Sequence, residues 1–148
     1  MNMSDAATLR NAVFRLHDAF RNAAEDTQDG MDFDITIREN QTMEMVYRLT
    51  MDNPDGVKLK VLALSMKLAS ATMCQIVDSL VKKGLLKRSQ NPDDRRAVMI
   101  TLTNLGQALQ NKFITSIDDL CWKLLDSLSL QERQVLFDDL SRMLNRLS

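Results

Sequence analysis

Between Leu68 and Thr103 the chain changes its hydrophobic period twice, and few folds accept that order of elements. From Met73 the apolar residues fall at Met73, Ile76, Val77, Leu80 and Val81, the spacing that lays one continuous stripe along an α-helix. The opposite face carries Ala71, Thr72, Gln75, Ser79, Lys82 and Lys83, a polar surface not committed to the core. Gly84 follows where a helix end needs a residue able to take left-handed backbone angles, and lysines in the last turn suit the negative end of the helix dipole. Leu85 to Ser89 then reads as a strand, Gln90-Asn91-Pro92-Asp93-Asp94 as a turn, and Ala97 to Leu102 as the returning strand with Val98, Ile100 and Leu102 alternating. Arg95 and Arg96 stand exposed at the hairpin tip. A helix with a free polar face followed by a basic-tipped hairpin is the outline of a winged helix that reads DNA.

The charge distribution agrees with that outline. The chain of 148 residues has a formal net charge of −1, which taken alone argues against nucleic acid. Between Val57 and Arg96, however, nine lysines and arginines face only three aspartates, so the acidic excess lies in the flanks. Such a chain is long enough for one well-buried domain and short for two. No apolar run approaches the roughly 18 residues of a membrane helix, and Met-Asn-Met-Ser-Asp has no basic or apolar leader, so a cytoplasmic location without membrane contact is expected.

Around the central stretch, Ser4-Asp5 can cap a helix through about Ala24, on which Leu9, Val13, Leu16 and Phe20 form a narrow apolar seam. A partner subunit is the sharper reading of that seam; a core within the chain is the alternative. Glu25 to Asp34 is an acidic connector. Ile35 to Met51 is a helix with Ile37, Gln41, Met45 and Leu49 in register, ended by the turn Asn53-Pro54-Asp55-Gly56. Val57 to Leu59 can add a short third strand beside the hairpin. Leu59 to Leu68 makes the first helix of a helix-turn-helix, with Leu62, Ala63 and Met66 inward. Thr103 caps a helix from Asn104 to about Ser127, and the capping box Ser129-Leu-Gln-Glu132 opens a last helix carrying Leu136, Leu140, Met143, Leu144 and Leu147.

No Gly-rich phosphate loop, Gly-x-Ser-x-Gly or paired metal-ligand spacing occurs, so neither an enzyme nor a metal or cofactor site is expected. Cys74 and Cys121 lack zinc spacing, the single histidine, His17, cannot complete a usual zinc set, and both thiols read as reduced and structural. Cys74 adjoins Gln75, so oxidation that disturbs DNA contact is the alternative for that thiol.

Thr72 to Leu86, then Asp94-Arg95-Arg96, then Leu102-Thr103 and Gly106, resemble the recognition helix, wing and following helix start of MarR-type transcription regulators. The similarity runs more loosely from about Asp34 to Gly106. Two departures stand in the helix-turn-helix. Lys67 occupies a turn position where glycine is usual, and Ala69 and Ala71 replace common serines, which shifts the expected cap to Ser70.

The resemblance implies a mainly α fold with a small β-hairpin wing. A winged helix-turn-helix core over about 35–103 is flanked by dimerisation helices at about 5–24 and 104–148, within one domain. It implies a homodimer formed through Leu9, Val13, Leu16, Phe20, Leu140, Leu144 and Leu147, bound to double-stranded DNA at a near-palindromic operator. Thr72, Gln75 and Ser79 would face base edges, with Ser70 also in contact with DNA. Lys82, Lys83, Lys87 and Arg88 would meet phosphate, and Arg95 or Arg96 the minor groove, with Asp94 supporting the wing. It further implies a repressor released by a small-molecule effector, in a pocket for which Phe14, His17, Met43, Tyr47 and Phe113 are candidate liners. A dimeric protein-binding adaptor of the same fold that has lost DNA affinity is the alternative.

Overall fold

The computed structural model describes residues 3–29, 34–91, 93–94 and 96–147. Along the chain run α1 (Met3–Asp29), α2 (Ile37–Thr50), β1 (Val57–Lys58), α3 (Leu59–Ser65), α4 (Ser70–Lys82), β2 (Leu86–Gln90), β3 (Val98–Leu102), α5 (Asn104–Leu125) and α6 (Leu130–Leu144). They fall into two compact units, one of residues 25–114 and one of residues 1–24 with 115–148. Helix α1 continues five residues past the expected end at Ala24, so the first half of the acidic connector is helical. Gly30 to Phe33 lie outside the described residues.

In the 25–114 unit, Met43, Val46, Leu62, Met73, Val77, Leu80, Leu85, Leu86 and Ile100 are buried together. Residues Ile76 and Val81 of the expected α4 stripe are half-buried at its edges. The register expected for α2 is corrected: Ile37 is exposed, and the inward set is Glu39, Thr42, Met43 and Val46. The reason lies at the helix start. The helix starts two residues later than the expected Ile35, with Thr36 as the cap, its hydroxyl accepting from the Glu39 amide at 3.2 Å while Glu39 Oε2 accepts from the Thr36 amide at 2.8 Å, and Ile35 is buried ahead of the helix.

The sheet has the order β1-β3-β2, antiparallel throughout, with Val57 opposite Ile100 and Leu86 opposite Leu102. Gly56 leads into β1 at φ +110°, where a Cβ would meet the Ile100 carbonyl oxygen at 2.8 Å. Helices α3 and α4 meet at 110°, within the range of a helix-turn-helix.

Both helices end in the same hydrogen-bond motif. Leu68 N–H donates to Ala63 and Lys67 N–H to Leu64, as Leu85 N–H donates to Leu80 and Gly84 N–H to Val81. The motif needs left-handed backbone at its fifth residue. Gly84 has φ +73°, and Lys67 takes the same region at φ +53° despite its Cβ. The glycine usual in the turn is thus replaced without loss of the turn.

In the other unit, Ser116 Oγ donates to the Ala23 carbonyl at 3.0 Å, tying α5 to α1. Arg133 Nε donates to the carbonyls of Leu125 at 3.1 Å and Leu128 at 3.0 Å, closing the α5 terminus. Ser129 and Glu132 form the expected capping box of α6. Yet α6 buries none of its residues. Leu9, Val13, Leu16, Leu140, Leu144 and Leu147 are exposed and Phe20 is half-buried, so within one chain the seam has no core of its own. Among the described residues no single helix is long and apolar enough to cross a membrane.

Candidate nucleic-acid interface

Helix α4 buries Met73, Val77 and Leu80 and turns Ser70, Ala71, Thr72, Gln75 and Lys82 to solvent. Its first turn has Ala69 at the cap with no side-chain hydrogen bond. The expected shift of the cap to Ser70 is therefore corrected: Ser70 is the first helical residue, and Met73 N–H donates to the Ala69 carbonyl at 3.0 Å. Alanine at a cap position gives up about 1 kcal/mol against serine. Ser70 is left exposed beside Thr72 and Gln75 on one polar surface.

Two residues expected on that surface are engaged elsewhere. Ser79 Oγ donates to Glu39 Oε1 at 2.6 Å, and Lys83 Nζ donates to Glu39 Oε2 at 2.8 Å and Oε1 at 3.0 Å and to the Asp34 carbonyl. Both side chains bridge α4 to the start of α2 in the free protein. Glu39 is 4% exposed. Burial pushes its carboxyl up, but hydrogen bonds from Lys83, Ser79 and Thr36 outweigh that and hold it at about 2. Glu39 went unread as a site residue, although Thr36-x-x-Glu39 is a capping-box signature that would have placed it on the inner face.

The hairpin stem is braced against the same helix. Arg88 Nη2 lies 2.6 Å from Asp78 Oδ1, with Cys74 Sγ at 3.9 Å, so the guanidinium is already paired within the chain. Lys87 is exposed. At the tip, Asn91 Oδ1 accepts from the Asp93 amide at 2.9 Å and Asp94 Oδ1 from the Arg96 amide at 3.0 Å. Asp94 therefore supports the wing through the Arg96 backbone amide, and the Arg96 side chain is exposed. Arg95 lies outside the described residues.

Thr103 closes the hairpin from the far side. Its Oγ1 donates to the Gly84 carbonyl at 2.6 Å and accepts from the Gly106 amide at 3.0 Å, while its own amide donates to the Leu85 carbonyl at 3.0 Å. Gly106 abuts that same Leu85 carbonyl so closely that a Cβ there would overlap it.

Of the candidate effector-pocket residues, Met43 and Phe113 are buried in the 25–114 unit. Tyr47 is half-buried in that unit, whereas Phe14 and His17 are exposed on α1. A cavity of about 390 Å³ in the 25–114 unit is lined by Leu49, Gly56, Val57, Val61, Asn91 and Met99. Among the described residues no cluster of three or more His, Cys, Asp or Glu could hold a metal ion.

A model of the MarR family matches residues 49–98, from the end of α2 into β3. The HTH-type transcriptional regulator YhbI of Bacillus subtilis is 36% identical over 80 residues, 54% of this chain and 49% of that protein. YdgJ of the same organism is 26% identical over 94 residues, covering 64% and 57%. This chain thus spans about half the length of the curated relatives it matches. Among solved structures, Staphylococcus aureus MepR bound to ethidium bromide superposes with a TM-score of 0.71 at 24% identity, over 93% of this chain and 96% of MepR. The S. aureus MepR–DNA complex superposes with a TM-score of 0.65 at 24% identity, over 92% and 94%.

Proposed function

We propose, from the premise that this chain belongs to the MarR family, that it is a sequence-specific DNA-binding transcription regulator, a homodimer that represses and leaves its operator when a small molecule binds. The observation that carries the reading is the two-sided nature of α4: one face is buried in the core, and the other presents Ser70, Thr72 and Gln75 beside a hairpin with Lys87, Arg88 and Arg96 on its exposed side. Thr72 and Gln75 offer hydrogen bonds to base edges in the major groove. Lys82, Lys87 and Arg88 neutralise phosphate, with Arg88 exchanging Asp78 for DNA. Arg95 or Arg96 enters the minor groove.

Homodimerisation is supported by the exposed seam residues of α1 and α6, which a second copy would cover. Repression and an effector are carried by likeness alone: one solved MepR structure holds ethidium bromide and another holds DNA. A second reading, the adaptor without DNA affinity, draws on the carboxylates that already occupy Lys83 and Arg88. A mobility shift with DNA upstream of the chain's own coding region separates the two. A retarded complex, competed by the same duplex and not by a shuffled one, supports regulation, and no complex at low salt leaves the adaptor.

A further inference from the structure

We propose that Glu39 is a positioning residue for DNA reading, a latch on α2 that fixes the orientation of the reading helix through Ser79 and Lys83, which therefore serve the latch and not the DNA. The inference rests on the DNA-binding reading above and deepens it.

Glu39 lies at the inner start of α2 and accepts four hydrogen bonds from three groups, with both carboxylate oxygens used. One donor is local, the Thr36 amide of the capping box, and the Lys83 ammonium that reaches Glu39 from α4 also donates to the Asp34 carbonyl. The other end of the bridge is the last turn and a half of α4. Ser79 and Lys83 are one helical turn apart on a single face, so one carboxylate grips both and resists rotation of α4 about its axis. Thr72 and Gln75 lie earlier on that same rigid helix. A rotation of some tens of degrees at Ser79 carries Gln75 off a base edge, because bidentate base contacts tolerate little misalignment. Apolar packing alone is a weaker guide to rotation, since α4 carries half-buried Ile76 and Val81 at the two edges of its stripe. A group that is nearly fully buried, charged and saturated with directed hydrogen bonds specifies one orientation where packing permits several.

The chemistry also says what Lys83 does not do. Moving its ammonium to a phosphate would leave the Glu39 carboxylate buried without its cation, a larger loss than an exposed phosphate contact returns. Lys83 stays on Glu39 when DNA is bound, while the exposed Lys82 beside it is free to meet phosphate.

The test uses the full chain, a duplex selected by the wild-type protein from a random pool, and a shuffled duplex of the same composition. The variant is Glu39→Gln with Lys83→Met, which removes both charges together and leaves no orphan. Preference for the selected duplex falls about tenfold, the size of one lost base contact, while affinity for the shuffled duplex and its dependence on salt are unchanged. If Lys83 met phosphate, the same variant would flatten the slope of log affinity against log salt by up to about 2 in a dimer, and the proposal is overturned. Ser79→Ala, which deletes one bond and leaves the charges paired, keeps the fold testable: it lowers the preference without changing which sequence is preferred. An altered preferred sequence means Ser79 reads a base. A wild-type protein that selects no duplex removes the DNA-binding reading itself; one that selects a duplex with variants that discriminate equally well removes only the latch.

Discussion

The two units of this chain bury their apolar residues to opposite extents. In residues 25–114 the centre of the α4 stripe is enclosed, with Ile76 and Val81 half-buried at its edges, and even a carboxylate is buried and satisfied. In residues 1–24 and 115–148, α6 encloses nothing, Trp122 is 64% exposed, and leucines recur on open helix faces. Hydrophobic periodicity is equally strong in both. It announces that a face will be covered, and only the count of elements available in the same chain decides whether the cover comes from within.

The largest effect expected from this contrast is on the open unit. Removing residues 1–24 exposes further apolar surface and leads to aggregation or to loss of the proposed homodimer, seen by light scattering; a soluble, folded, DNA-binding monomer would break the contrast. A matched pair of substitutions sharpens it. Leu80→Ala, at a fully buried site, costs about 2 to 5 kcal/mol of folding stability by chemical denaturation. Leu144→Ala, at an exposed site, leaves the denaturation midpoint of dilute monomer nearly unchanged and weakens self-association instead.

Acid acts on the closed unit through Glu39. Its folded-state pKa of about 2 lies below the ordinary carboxylate value of 4.5, so the stabilisation is fully present above about pH 4.5 and is lost as pH falls through about 2. The loss is on the order of 3 kcal/mol, and it shrinks in Glu39→Gln; an unchanged acid transition in that variant would show the carboxylate to be weakly held. At the DNA surface, replacing Arg95 and Arg96 together by alanine removes four charges from a dimer and flattens the salt slope of binding by up to about 4, with dimerisation and melting temperature nearly unchanged. Gln75→Ala gives the smallest change, roughly 1 to 3 kcal/mol of discrimination between sequences, with little effect on random DNA.

What could be read from the residues follows the same division. Helix α4, its glycine terminus, the hairpin and both later caps were legible, because each is a local signal within a few residues: the stripe from Met73, Gly84, Thr103, and Ser129 with Glu132. The phase of α2 was not, because Ile37 and Met45 compete for the inward face with a buried Glu39 that polarity assigns to solvent. Its partners are Ser79 and Lys83, 40 and 44 residues away, and no short window contains both ends. Asp78 with Arg88 escaped for the same reason, joining helix to strand across ten residues. The left-handed Lys67 was expected as a tolerable departure, and it is held by two backbone hydrogen bonds of the turn, with no help needed from a glycine.

The clasp at Thr103 bears on how the wing can vary. Gly84, Leu85, Thr103 and Gly106 close the hairpin at its base with bonds that touch none of the residues from Asn91 to Ala97. Length and composition at the tip are thereby decoupled from the core. Extra residues inserted between Asn91 and Ala97 lengthen a loop whose ends are already joined, and each doubling of such a loop costs only about 0.6 kcal/mol. The tip can drift through insertions and charge changes while the helix beneath it keeps its place, whereas any side chain added at Gly106 meets the Leu85 carbonyl at once.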